Sequence, residues 1–141
     1  MPRRNLPKGP LALRLLVIDD EPEVGASLGQ LLQALGHAVV LATSGPAGLA
    51  ALAAAPFDAV LVDLSMPGMS GAEVARAVKA GAPALPVVLL TAWGAEADAV
   101  SGGRLVDHML RKPLRVGELQ AVLRALAEGG RRTTTTTRAA V

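Results

Sequence analysis

Uninterrupted apolar runs punctuate the chain, and each stops at a polar residue. Leu15-Leu16-Val17-Ile18 stops at Asp19-Asp20, Ala59-Val60-Leu61-Val62 at Asp63, and Val87-Val88-Leu89-Leu90 at Thr91. A fourth run, Val106 to Leu110, apolar apart from Asp107 and His108, leads into Lys112-Pro113. Apolar runs of this length that end at a turn signal read as strands buried on both faces, as in a parallel sheet. The intervening segments change period. Val24, Leu28, Leu31, Leu32 and Leu35 recur at helical spacing, with Pro22 near the first helical position and Gly36 placed to end the helix. Val39-Val40-Leu41 is the next strand; Ser44-Gly45-Pro46 opens an alanine-rich helix through Ala55, and Pro56 stops it. The stretch from Met66 to Gly71 reads as a loop, followed by a short helix to Lys79 or Ala80, and Pro83 and Pro86 frame the approach to the strand that ends at Thr91. The last helix starts after Pro113, carries Leu119, Val122, Leu123 and Leu126 on one face, and ends at Gly129-Gly130. A further helix is expected from Glu96 to Arg104, short because Gly102 and Gly103 each cost it on the order of 1 kcal/mol relative to alanine.

Strand alternating with helix predicts a doubly wound α/β fold, a five-stranded parallel sheet covered by helices on both faces, because parallel neighbours need right-handed crossovers. The expected organisation is a basic N-terminal tail over 1–13, a folded domain over 14–128, and a disordered polar tail over 129–141 that holds five threonines.

Composition narrows the function classes. A chain of 141 residues has room for one sizeable core. No apolar stretch approaches the roughly 18 residues that span a membrane, and the start lacks a signal-peptide pattern, so a cytoplasmic location is expected. Cysteine is absent, which excludes disulfides and thiolate metal sites. Six of the 14 basic residues lie in the two tails, which hold no acid, so the body carries eight bases against 12 acids and the positive net charge belongs to the tails. With Phe57 and Trp93 as the only aromatics, the chain offers no stacking platform for single-stranded nucleic acid.

The chemistry gathers at strand ends. If the strands are parallel neighbours, Asp19, Asp20 and Asp63 emerge at one carboxyl edge, where such folds hold ligands, and three converging carboxylates need a cation. Thr91 and Lys112 reach the same edge, a combination that suits a phosphorylated aspartate. Each residue has a plainer role open to it. An aspartate ahead of a helix often only caps it, Thr91 fits a strand for steric reasons, and Lys112 could be a solvated lysine beside a turn. The three acids together favour the cation site over capping. Pro113 gives Lys112 a rigid following bond open to the cis form. His37 and His108 read as surface or strand-end residues, and Trp93 as a loop residue with an apolar body.

At these residues the chain resembles the receiver domain of bacterial two-component response regulators. The likeness runs from about Arg14 to Glu128 and rests on Val17-Ile18-Asp19-Asp20-Glu21-Pro22, the stretch from Val62 to Gly71, Leu90-Thr91-Ala92 and Lys112-Pro113 in that order. The resemblance implies that Asp63 accepts a phosphoryl group from a phosphohistidine on a sensor histidine kinase or phosphotransfer protein. It also implies Mg²⁺ held directly by Asp20 and Asp63 and by the Ser65 backbone carbonyl, with Asp19 acting mostly through water. Lys112 and Thr91 would contact the phosphate oxygens. Mg²⁺ is hard and takes oxygen ligands, so the set is chemically sensible. The family usually carries an aromatic residue three positions before the lysine; here Met109 stands there, which puts the usual switch in doubt.

The leading expectation is a stand-alone receiver, not an enzyme, that signals to a downstream protein partner by contact, without specific DNA binding or membrane attachment. The short stretch after the last helix leaves no room for an effector domain. A receiver module separated from a hybrid histidine kinase is the alternative. An aspartyl-phosphate hydrolase would need an acid two residues after Asp63, where Ser65 stands, and a flavodoxin-like cofactor binder would need a phosphate cradle where Asp19-Asp20-Glu21 repels phosphate.

Overall fold

The computed structural model describes residues 12–92 and 106–129. The elements follow in the order β1 (Arg14–Ile18), α1 (Pro22–Ala34), β2 (Ala38–Ala42), α2 (Gly45–Ala54), β3 (Ala59–Asp63), α3 (Gly71–Gly81), β4 (Val87–Thr91), β5 (His108–Arg111) and α4 (Val116–Gly129). The helix expected between β4 and β5, together with Trp93, lies outside the described residues, as do most of both expected tails. Leu13, at the end of the expected N-terminal tail, is buried, and its N–H donates to His37 Nδ1 at 3.0 Å.

All five strands are parallel, in the order β2-β1-β3-β4-β5. This is the doubly wound α/β architecture that the alternating pattern predicts. The chain runs from β1 outward to β2 and then returns to the other side of β1 to form β3. The order therefore reverses between β1 and β3, and their carboxyl ends flank the crevice where such folds bind ligands.

Each central strand is buried on both faces because its side chains alternate between two layers. Leu15 and Val17 of β1 join a cluster with Leu28, Leu32, Leu119 and Leu123, beneath α1 and α4. Leu16 and Ile18 join the opposite cluster with Val62, Val74, Val78 and Leu89, beneath α2 and α3. The helix ends are fixed locally. Helix α1 stops in a Schellman arrangement, with Gly36 at φ 101°, its N–H on Gln33 O at 2.9 Å and the His37 N–H on Leu32 O at 3.1 Å. Ser44 caps α2, accepting from the Ala47 N–H at 3.1 Å. Ser70 and Glu73 form a reciprocal capping box on α3, at 3.2 and 3.0 Å.

Exposure departs from the apolar pattern at one helix and one edge strand. Val24, counted with the apolar face of α1, is 38% exposed, because the buried face of that helix is completed by Gly25 and Gly29. Leu41 is 45% exposed, since β2 is an edge strand with cover on fewer sides. His108, expected at the surface or at a strand end, begins β5 and is only 1% exposed.

Candidate functional site

The register carries the acids to a common level. Ile18 pairs with Val62, so Asp19 and Asp63 follow at matching positions on adjacent strands, and Asp63 itself pairs with Leu90 of β4. Asp19, Asp20 and Asp63 each offer a carboxylate oxygen, and these oxygens lie within 4.8 Å of one another. The sequence expectation that the three converge at one edge is met.

Lys112 reaches this cluster from beyond β5. The Lys112 N–H donates to Thr91 O at 2.8 Å, which extends the β4–β5 ladder by one residue and fixes the root of the side chain. Its Nζ lies 3.1 Å from Asp63 Oδ1 and 3.3 Å from Asp19 Oδ2. The Lys112-Pro113 bond is cis. Contact with Asp19 was no part of the sequence reading, which aimed the ammonium at a phosphate oxygen. Thr91 is buried at the end of β4, in register with Arg111. Ser65 lies two residues past Asp63 on an exposed turn. Met109 is half-buried and packs against the layer that contains Leu89 and Val106.

Asp19 combines both roles weighed from the sequence. Its Oδ1 accepts from the Glu21 N–H at 2.9 Å, a turn that leads into α1, while Oδ2 takes the lysine. Asp19 is thus almost fully buried with both oxygens engaged. Asp20 is partly exposed, and among the described residues it has no hydrogen bond or ion pair.

The loop after Asp63 is held close to the backbone it leaves. The Leu64 N–H donates to Leu90 O at 2.8 Å and the Gly71 N–H to Leu64 O at 2.9 Å. A Cβ on Gly71 would fall against the Asp63 carbonyl and 2.7 Å from Leu64 Cα, so only glycine allows this return. Gly68 takes φ 80°, the left-handed conformation that a glycine adopts without strain.

Electrostatics follow from the crowding. Burial pushes the Asp63 carboxyl above its ordinary value; Lys112 pulls the other way, and the charges of Asp19 and Asp20 add to the upward push. For Lys112, burial works against the ammonium, but the bonds and charges of Asp63 and Asp19 together outweigh it and leave the group raised. One ammonium among three carboxylates leaves the cluster short of positive charge. The donors are all hard oxygens, the set that suits a divalent cation of the magnesium or calcium kind. A cleft of about 810 Å³ lies at the other end of the sheet, lined by Leu13, Phe57, Val78, Leu85 and Leu126 among others. None of the three clustered aspartates borders it, so the carboxylates and not this cleft define the candidate site.

Fold and site together define an α/β protein with an acidic, lysine-bridged cluster at its topological switch point. The family model for the response regulator receiver domain matches residues 15–124. The chain belongs to that family. It is 38% identical over 119 residues to the transcriptional regulatory protein TcrA of Mycobacterium tuberculosis, an alignment that covers 84% of this chain and 47% of TcrA. It is 38% identical over 115 residues to the transcriptional regulatory protein QseB of Escherichia coli O157:H7, covering 81% of this chain and 52% of QseB. The chain spans about half the length of these curated relatives. Among solved structures it is similar to the response regulator protein TrrA of Thermotoga maritima in complex with Mg(2+)-BeF. The TM-score is 0.73 at 31% identity, covering 79% of this chain and 96% of TrrA. A receiver domain from Clostridium thermocellum gives a TM-score of 0.74 at 29% identity, covering 80% of this chain and 92% of that one. No helix among the described residues is long and apolar enough to cross a membrane.

Proposed function

We propose that Asp63 is the phosphoacceptor of a two-component phosphorelay, taking its phosphoryl group from a phosphohistidine on a sensor histidine kinase or phosphotransfer protein in the cytoplasm. The observation that carries this reading is the ammonium of Lys112 bridging Asp63 and Asp19 at 3.1 and 3.3 Å, within a triad of carboxylates. In the transfer, an Asp63 oxygen attacks phosphorus as the P–N bond to the donor imidazole breaks. The bonding electrons leave with the imidazole, and an acyl phosphate forms. Lys112 is close enough to remain paired with the phosphoryl oxygens once Asp63 is phosphorylated, and the Thr91 hydroxyl is the second donor assigned to them. Asp63 needs no general base, because a carboxylate is already the nucleophilic form.

Asp20 and Asp63, with the Ser65 carbonyl, would hold Mg²⁺ directly, and Asp19 would act on it through water. The engagement of both Asp19 oxygens elsewhere, and the exposure of Asp20, support that division. When bound, the ion offsets the charge of the cluster and of the transferred group. The solved relative described with Mg(2+)-BeF supports the choice of metal. Output is assigned to protein contact across the face made by β5 and α4, where Arg111, Arg115 and Arg124 are exposed, without sequence-specific DNA binding.

Incubation with acetyl phosphate and Mg²⁺, followed by intact mass, tests the reading. The parent should gain one phosphoryl mass and Asp63→Asn none; equal gain by both would reject Asp63 as acceptor.

A further inference from the structure

The second buried ion pair lies at the opposite end of the sheet from the acidic cluster. Lys79 Nζ, in the last turn of α3, is 2.7 Å from Asp107 Oδ2 and also donates to Leu85 O at 2.7 Å. The same Asp107 oxygen accepts from the Val87 N–H at 2.8 Å, and the Asp107 N–H returns a bond to Val87 O at 2.8 Å. Asp107 is 4% exposed and Lys79 18%. This cluster joins the end of α3, the turn into β4 and the first step of β5. A charge network this well satisfied is costly to assemble and tolerates little displacement, because moving any member leaves a buried charge unpaired.

Its location bears on the reaction. Strand β5 is a four-residue edge strand paired on one side only, with β4. Asp107 immediately precedes it and Lys112 immediately follows it. The level at which β5 starts against Val87 therefore sets the level at which the lysine root meets Thr91. At its other end α3 begins with Gly71, pressed on the backbone of Asp63 and Leu64. One helix of 11 residues, about 16 Å long at 1.5 Å per residue, thus spans from the acceptor's loop to the clamp on the lysine's strand.

We propose that Lys79 and Asp107 are positioning residues for Lys112: their ion pair fixes the start of β5 and thereby where its far end delivers the ammonium to Asp63. The inference rests on the reading of Asp63 as phosphoacceptor. It assigns the pair no contact with the phosphoryl group. Its effect should therefore fall on phosphorylation rate and not on the metal site, whose carboxylates belong to β3 and the turn after β1.

A double-mutant cycle with Lys112 separates positioning from general support of the fold. Phosphorylation by acetyl phosphate at saturating Mg²⁺ is followed by intact mass, well below the melting temperature of each variant. Lys79→Met should slow the parent roughly three- to tenfold, since small misplacements of a reacting group are expensive, while the half-saturating Mg²⁺ concentration stays put. Lys79→Arg should recover most of the rate. In a Lys112→Arg background, where the cation is already displaced, Lys79→Met should change the rate less than about twofold. Asp107→Asn, which keeps the shape and the acceptor for Val87, serves if Lys79→Met does not fold, and should behave likewise. An unchanged rate in the single variants, or an equal loss in both backgrounds, overturns the proposal. Phosphorylation of Asp63→Asn to the parent's level would instead reject the underlying function, whatever the cycle shows.

Discussion

Lys112 Nζ lies 3.1 Å from Asp63 Oδ1 although the strands that lead to the two residues are not neighbours: β4 separates β3 from β5. The side chain spans the end of β4, over the strand that closes with Thr91. On the proposed reading, a phosphoryl group on Asp63 would therefore meet lysine and threonine from adjoining directions, and the sheet order explains why positions 63, 91 and 112 lie at one edge.

The division of labour between the adjacent acids is testable. Asp20→Asn should weaken Mg²⁺ binding on the order of tenfold or more, whereas Asp19→Asn should weaken it by a smaller factor, as expected for a water-mediated contact. Calorimetric titration measures both. Equal losses would reject the assignment.

Stability should depend on Asp63 in a pH-dependent way. Its carboxyl is held above the ordinary value of 3.8, so its favourable contribution is complete below that value and is lost as pH rises through the folded value. At neutral pH, without metal, the ionised group is a burden on the fold. Asp63→Asn should then raise the melting temperature of the metal-free protein by a few degrees, and the gain should shrink in acid and on addition of Mg²⁺. A melting series across pH with and without Mg²⁺ reads this directly.

Lys112 carries the opposite expectation. Its pKa is raised above 10.5, so its stabilising contribution is intact below that value and fades only as strong alkali titrates it. Lys112→Met should lower the melting temperature at neutral pH, and the difference from the parent should narrow at high pH. A constant difference across the range would mean that the packing of the stem, and not its charge, accounts for the loss.

Gly71→Ala should destabilise by roughly 1 to 3 kcal/mol in urea titration, because the added methyl meets backbone and cannot be relieved by a rotamer change. Phosphorylation should fall as well, through displacement of the Asp63 backbone. Gly48→Ala makes a useful contrast, since there the obstacle is side-chain atoms of Ile18 and not backbone, and the loss should be smaller.

Partner capture should depend on the β5–α4 face. Arg111→Glu, Arg115→Glu and Arg124→Glu should weaken recovery of a phosphorylation-dependent partner without slowing phosphorylation of Asp63. A gel shift that discriminates DNA sequences at about 200 mM salt would contradict contact-only output.

The sheet and the acidic cluster were legible in the sequence because their signals are local. A fully apolar tetrapeptide ending in aspartate states both the strand and its chemical terminus, and Pro22, Ser44 and Gly36 mark helix ends through their own backbone and side-chain preferences. What escaped was pairing at a distance. Lys79 and Asp107 are 28 residues apart, and nothing near either residue indicates the other. His108, read as a surface or strand-end residue, does begin β5, but its near-complete burial comes from packing distant in sequence that Asp107 and Met109 beside it do not indicate. Val24 shows the converse error, since a hydrophobic count extends a helix face past the point where glycines, which carry no apolar side chain, make the actual contact.

The two hydrophobic layers have no residue in common, and the sheet stands between them as a bulkhead. A packing fault beneath α1 and α4 can reach α2 and α3 only by bending hydrogen-bonded strands. Each side of the molecule is therefore free to be rebuilt on its own timetable, in evolution or in the laboratory, provided the strand ends that carry Asp19, Asp63 and Thr91 keep their places at the seam.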